Sequence, residues 1–326
     1  GDHNIGIGFE TGHTISSGAN NILIGYKAGY ATTTADDNIA IGKQALTANT
    51  TGHGNTIIGR YSTWANTTGY FNTALGYNTL LANTTGDSNV ALGMYALSGN
   101  TTGIRNIGIG YNAVGSNTTA MGNVGIGHTA LQANTTGANN VAIGYQTLDA
   151  NTTGSSNTAI GRSSLGSNTT GNYNTSIGFS SLGANTTADN NTAVGYNSLV
   201  NNTTGANNTA NGFTALRYNT TGASNTAMGS YALTANTTAN SNAAFGYAAL
   251  EANTTGANNT ATGYAALRAN TTGVDNTAVG YGTLAANLTG GNTAVGKQSQ
   301  RVTTTGASNT SVGKHSMYVN TTGSNN

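Results

Sequence analysis

The chain repeats itself every 17 residues from end to end, and that period limits what it can fold into. An asparagine marks the register at Asn4, Asn21, Asn38, Asn55, Asn72, Asn89 and Asn106. It continues through Asn123, Asn140, Asn157, Asn174, Asn191, Asn208, Asn225, Asn242, Asn259 and Asn276 to Asn292, Asn309 and Asn326. Every interval is 17 residues except the 16 between Asn276 and Asn292, where the loop 288–291 is one residue short. The 19 repeats share the consensus N-T-A-I-G-Y-x-A-L-x-A-N-T-T-G-x-x, numbered below from position 1 at the Asn. Helical solenoids need about 33 to 47 residues per repeat and leucine-rich repeats about 20 to 29. A shorter unit rich in Gly and Thr suits one coil of a β-solenoid, with short strands joined by Gly and Asn turns. The predicted fold class is therefore all-β, a β-solenoid (parallel β-roll or β-helix) with one coil per repeat.

Composition removes several function classes. Charged residues make up 6% of the chain, against about 25% in ordinary globular domains. Ten Lys and Arg face nine Asp and Glu, which provides no basic face for a phosphate backbone. There is no cysteine, hence no disulfide scaffold or cysteine-ligated zinc, and no apolar run long enough to span a membrane as a helix. Disorder is not expected, because Pro is absent while Ile, Val and Thr are abundant.

Within the repeat, position 5 is Gly in all 19 copies, which points to a positive-φ bend or a close backbone approach. Position 15, Gly or Ala, marks a second turn. Between the turns the apolar pattern alternates: position 4 is apolar in 17 copies, position 9 is Leu in 13, position 8 is small and position 3 is mostly Ala. A strand with Ile on one face and Ala on the other is expected to be buried on both sides. One face fills the coil and the other needs a cover, so the chain is expected to associate with itself, as a lateral trimer or an end-to-end filament. Position 2 changes from Ile or Val to Thr along the chain, which predicts a drier core or interface in the first half. Stacked at about 4.8 Å per coil, the array predicts one continuous rod, domain 1–326, roughly 90 Å long. It is expected to extend beyond both ends, since neither end shows a divergent capping repeat.

The segments NIAIG (38–42), NVAIG (140–144) and NTAVG (191–195) resemble the N-S-V-A-I-G repeats of trimeric autotransporter adhesin heads. The longer unit NTALGYNTLLANTTG (72–86) is similar to repeat arrays of bacterial, viral and tail-fibre-like surface proteins. The resemblance implies parallel β-rolls assembled as trimers, on a cell or virion surface, with adhesion as one role.

Three stripes are candidate sites. Asn-Thr-Thr at position 12 is an N-x-Ser/Thr pattern, a glycosylation acceptor if it sits on a surface loop. It comprises Asn49, Asn66, Asn83, Asn100, Asn117, Asn134, Asn151, Asn168, Asn185, Asn202, Asn219, Asn236, Asn253, Asn270, Asn287 and Asn320. The bland reading is a duplicated Asn/Thr turn. The position-1 asparagines, among them Asn38, Asn72, Asn140 and Asn191, are read with the following Gly42, Gly76, Gly144 and Gly195 as structural, the amides forming a ladder along the coil axis. Position 6 is aromatic in 11 copies, including Tyr26, Tyr77, Tyr145, Tyr196 and Tyr264, and Lys or Arg in five. This stripe would stack on sugar rings or simply pack rung on rung. Thr ladders at positions 13 and 14 raise an ice-binding alternative, although adjacent residues of a strand face opposite ways.

No catalytic, cofactor or metal site is expected. The five His occupy different repeat positions, and the seven Asp and two Glu are scattered. Gly6-Ile7-Gly8 belongs to the strand–turn repeat and is no phosphate loop. The expectation is a structural extracellular fibre or shaft, with a glycan-contacting adhesin or tail-fibre module as the alternative.

Overall fold

Positions 2 to 4 of each repeat form a three-residue strand, and the invariant Gly at position 5 ends it. Strand β3 (Ile39–Ile41) is typical: Ala40 is buried while Ile39 and Ile41 point outward, half exposed. A computed structural model describes all 326 residues and contains 19 such strands and no helix. The chain divides into two units, Gly1–Arg162 and Ser163–Asn326. The first holds β1 (Ile5–Ile7) through β10 (Thr158–Ile160), and the second β11 (Thr175–Ile177) through β19 (Thr310–Val312). Within each unit successive strands pair in parallel, each residue opposite its counterpart in the next repeat, as in Ile39↔Thr56 and Ile41↔Ile58. The fold is a parallel β-solenoid with one coil per repeat. The short repeat does not break register, because Thr277 of β17 (Thr277–Val279) still pairs with Thr293 of β18 (Thr293–Val295).

Strands supply only part of the inter-coil bonding. In the coil 38–54, the Ile39, Leu46, Ala48 and Thr50 N–H groups donate forward to Asn55, Ser62, Trp64 and Thr67 carbonyls at 2.8–3.2 Å. Those of Gly42, Gln44 and Gly54 donate backward to Ile24, Tyr26 and Asp36 at 2.8–3.1 Å. Buried backbone groups must find partners, and here almost the whole coil, turns included, finds them in its neighbours. The geometry requires left-handed residues at positions 7, 9 and 17, for example Gln44 (φ 54°), Leu46 (φ 53°) and Asp37 (φ 60°). Such a conformation costs a non-glycine residue roughly 1–2 kcal/mol, which the inter-coil bonds offset.

The interior is narrow. Its apolar part is a column of position-9 side chains, Leu46, Leu80, Leu97, Leu131 and Leu148 in the first unit and Leu165 through Leu284 in the second, all buried. Alanines at position 3 and small residues at position 8 pack around it. Burying each leucine contributes about 1.5–3 kcal/mol. Alanine therefore faces in and isoleucine faces out, because the leucine reaching across from position 9 already fills the coil. The outer strand face is half exposed in this chain and is the face expected to need a cover, and the Ile-to-Thr change at position 2 lies on this outer surface, so it does not alter the dryness of the core.

Candidate functional site

The position-12 asparagines lie inside the coil. Asn49 through Asn287 are all fully buried, and only Asn320 is partly exposed. Along the ladder, which starts at Asn66, the side-chain amide donates to Oδ1 of the position-12 Asn in the preceding coil, as Asn100 does to Asn83 at 2.8 Å and Asn219 to Asn202 at 2.8 Å. It also donates to the position-15 carbonyl of its own coil, as Asn100 does to Gly103 at 3.0 Å. A surface-loop glycosylation acceptor is thus the wrong reading for Asn49 to Asn287. A glycan on that nitrogen would break both bonds and would have no route out of the coil. The Asn-Thr-Thr motif is a buried amide ladder followed by a turn.

The position-1 asparagines form a second buried ladder. Asn38 Nδ2 donates to Asn21 Oδ1 (3.1 Å) and to the Gly52 carbonyl (3.0 Å), while its own Oδ1 accepts the backbone N–H and the side-chain amide of Asn55. Both donors and both lone pairs of the amide are thereby used. Asn72 and Asn140 repeat the pattern (3.2 and 3.3 Å to the preceding amide), and Asn191 donates its N–H to Asn174 Oδ1 at 2.9 Å. The following Gly42, Gly76, Gly144 and Gly195 have φ of 128–141°. A β-carbon on Gly42 would meet the Gly59 carbonyl oxygen at 2.5 Å, which explains why no other residue occurs there.

The aromatic stripe is on the surface, with Tyr26, Tyr77, Tyr145, Tyr196 and Tyr264 all exposed. Its rings pack on one another rung by rung. In the second unit Phe179, Tyr196, Phe213, Tyr231, Tyr247, Tyr264 and Tyr281 make an unbroken series at 5.2–5.6 Å between centroids. In the first unit Tyr145 lies between His128 (5.2 Å) and the Arg162 guanidinium (5.4 Å), and Tyr26 between Phe9 and the Lys43 ammonium. Tyr77 is flanked by Tyr61 and Tyr95. Neighbours thus flank all five tyrosines on both sides, so the stripe is not an open platform for sugar rings. The cations at position 6 continue the stack through cation–π contacts. Sequence reading missed Tyr61, Tyr95 and Tyr231, which sit at position 7. The signal was available, since each follows a non-aromatic position 6 (Arg60, Met94, Ser230).

The threonines divide by role. Position-13 hydroxyls donate to the position-13 carbonyl of the next coil, as Thr50 does to Thr67 at 3.0 Å and Thr203 to Thr220 at 3.0 Å. These hydroxyls are committed to the backbone and most of these threonines are half-buried, whereas position-14 threonines such as Thr51, Thr68 and Thr102 are exposed. The outer strand face carries a second exposed ladder at position 4, including Leu75, Ile160, Met228, Phe245 and Val279.

No three His, Cys, Asp or Glu side chains converge in a way that could hold a metal ion. No helix is long and apolar enough to cross a membrane. Tyr61 and Tyr70 differ in environment: the Arg60 guanidinium beside the Tyr61 phenol lowers its pKa, and the hydrogen bond from Tyr70 to Asp87 raises that of Tyr70. Compared with known proteins, the chain matches no family model, and no curated protein matches it significantly.

Proposed function

We propose that this chain is a structural segment of an extracellular fibre or shaft, on a cell or virion surface, that associates with copies of itself. The supporting observation is the inter-coil bonding. Backbone groups throughout each coil, together with two buried amide ladders, bond to the coil before and the coil after. Such a design lets each coil template the next and lets length grow by repeat number. The stripe of exposed apolar residues at position 4 supports lateral association, since within each unit such side chains recur on the outer strand face, Leu75 and Ile160 in the first and Met228 and Phe245 in the second. A glycan-contacting adhesin fits less well, because the stripe's rings are flanked by their neighbours.

Sedimentation velocity combined with electron microscopy of the purified chain tests the proposal. An oligomer at micromolar concentration, visible as unbranched rods or filaments, is the expected result. A soluble monomer with no elongated particles would overturn it.

A further inference from the structure

The second unit contains a surface notch that the stripes do not account for. In the repeat opened by Asn276, position 7 is Gly282 and position 10 is Ala285, so two outward side chains are missing from one rung. The gap has a volume of about 280 Å³ and is walled by Tyr264 and Tyr281 on one side and by Arg268 and Arg301 on the other, with Gln298 at its end. Arg268 and Arg301 occupy position 10 of the rungs before and after, two coils apart, hence roughly 10 Å between backbones. Both side chains are long enough to reach over Ala285 from either end.

Each guanidinium is anchored from behind. Arg268 Nε donates to Glu251 Oε2 at 2.7 Å, which leaves its two terminal amino groups without a protein partner. One terminal amino group of Arg301 donates to the Tyr318 hydroxyl, and the rest of its fork faces outward. The Gln298 carbonyl bonds His315 Nε2 at 2.9 Å, which fixes the side-chain amide at the notch's end. Positive charge exceeds negative around the notch: residues 251–326 carry Arg268, Lys297, Arg301 and Lys314 against Glu251, the ion-pair partner of Arg268, and Asp275.

We propose that this notch binds one anionic group of a saccharide, a carboxylate or a sulfate, between Arg268 and Arg301, with the sugar body against the edges of Tyr264 and Tyr281. Two pre-oriented guanidinium forks suit planar or tetrahedral oxyanions, and the volume is near the lower end of small-ligand pockets, which begin at about 300 Å³. The site is independent of the shaft proposal, because it is complete within one chain.

Isothermal titration of the full chain with a galacturonate hexamer, a sulfated heparin-type hexasaccharide and neutral cellohexaose tests it. One or both anionic probes should bind, and which of them binds identifies carboxylate or sulfate as the recognised group. Cellohexaose should not bind. The double variant R268Q/R301Q should weaken binding about tenfold or more. The variant G282Q should do the same by filling the notch while leaving thermal melting unchanged. Position 7 already carries glutamine at positive φ in Gln44, Gln146 and Gln298, and a β-carbon on Gly282 meets nothing closer than 3.5 Å. Binding that survives R268Q/R301Q, that includes cellohexaose, or that falls equally in the distant control K43Q would overturn the proposal, as would no binding of either anionic probe.

Discussion

Leu23 occupies the space that Gly29 leaves open in the same coil. A β-carbon added to Gly29 would lie 2.8 Å from Leu23 Cδ2 and 2.9 Å from Cδ1. Position 3 is small in all but one of the other coils and position 9 is usually leucine, so this coil has exchanged the two. Ile57 and Thr63 make the same exchange two coils later, with Ile57 fully buried and the Thr63 hydroxyl left without a partner. In these two coils the core keeps its apolar volume and takes it from position 3 instead of position 9.

The exchange predicts strong coupling between the two sites. Leu23→Ala leaves a cavity and should cost about 2–5 kcal/mol. Gly29→Leu alone overpacks the coil and should also destabilise it, even though leucine accepts the required positive φ at this position elsewhere, as at Leu46. The double variant restores the consensus pair and should recover most of the loss, with a coupling energy above about 1 kcal/mol. Urea melts of the two single variants and the double variant check this. Additive effects would sink the volume argument.

The position-12 ladder makes a second prediction. Asn100→Ala removes the donor to Asn83 and the acceptor for Asn117, each in a buried setting. Each orphaned polar group costs about 1–3 kcal/mol, so the substitution should cost several times as much as Thr102→Ala on the surface. In a glycosylating host, glycopeptide mass spectrometry of the secreted, folded chain should find sugar on Asn320 but not on Asn100.

How far these features can be read from sequence depends on whether they are periodic or directional. The coil period, the glycine bend at Gly42 and the amide ladder through Asn38 follow from repetition alone, because identical residues in register must stack. Direction does not follow from repetition. Ile41 is larger and more apolar than Ala40, so size suggests Ile41 as the core residue. It lies outside because Leu46, distant along the turn, already fills the coil. Asn100 suffers the same ambiguity: Asn-Thr-Thr reads locally as a turn, and only closure of the coil turns the Asn inward. The notch between Arg268 and Arg301 arises from a missing side chain at Gly282, which has meaning only once the rungs are stacked.

The two glycine positions should respond differently to alanine. Gly42 combines φ of 136° with a virtual β-carbon 2.5 Å from the Gly59 carbonyl oxygen, so Gly42→Ala must break the rung. Gly52 would also bring a β-carbon close to a carbonyl, that of Gly69, but its φ is not positive. Ala35, Ala120, Ala188 and Ala239 fill the equivalent position in other coils, so the backbone can shift to admit a methyl group. Gly52→Ala should therefore cost about 1 kcal/mol and Gly42→Ala several times more. Hydrogen exchange of the flanking coils distinguishes them, and equal loss of protection would contradict the assignment.

The tyrosine environments predict an order of ionisation. Arg60 favours the Tyr61 phenolate, so Tyr61 should lose its proton at a lower pH than an ordinary tyrosine. Tyr70 shares a hydrogen bond with Asp87, whose negative charge opposes a phenolate, so it should titrate at a higher pH. Ring resonances followed by NMR through the alkaline range should move first for Tyr61. Arg60→Gln should shift the Tyr61 transition upward and leave Tyr70 in place.

The outer strand face provides the test that separates folding from association. Leu75 is 50% exposed and Phe245 39%, and both lie at position 4, pointing away from the leucine column. Leu75→Glu and Phe245→Glu should therefore leave the circular dichroism spectrum and the melting temperature nearly unchanged, since surface substitutions usually fall within about 0.5 kcal/mol. If copies of the chain meet through this face, the same variants place a charge in an apolar contact and should shift sedimentation toward the monomer. A variant that unfolds instead would place position 4 in the core. One that folds and associates as before would move the contact surface to another stripe.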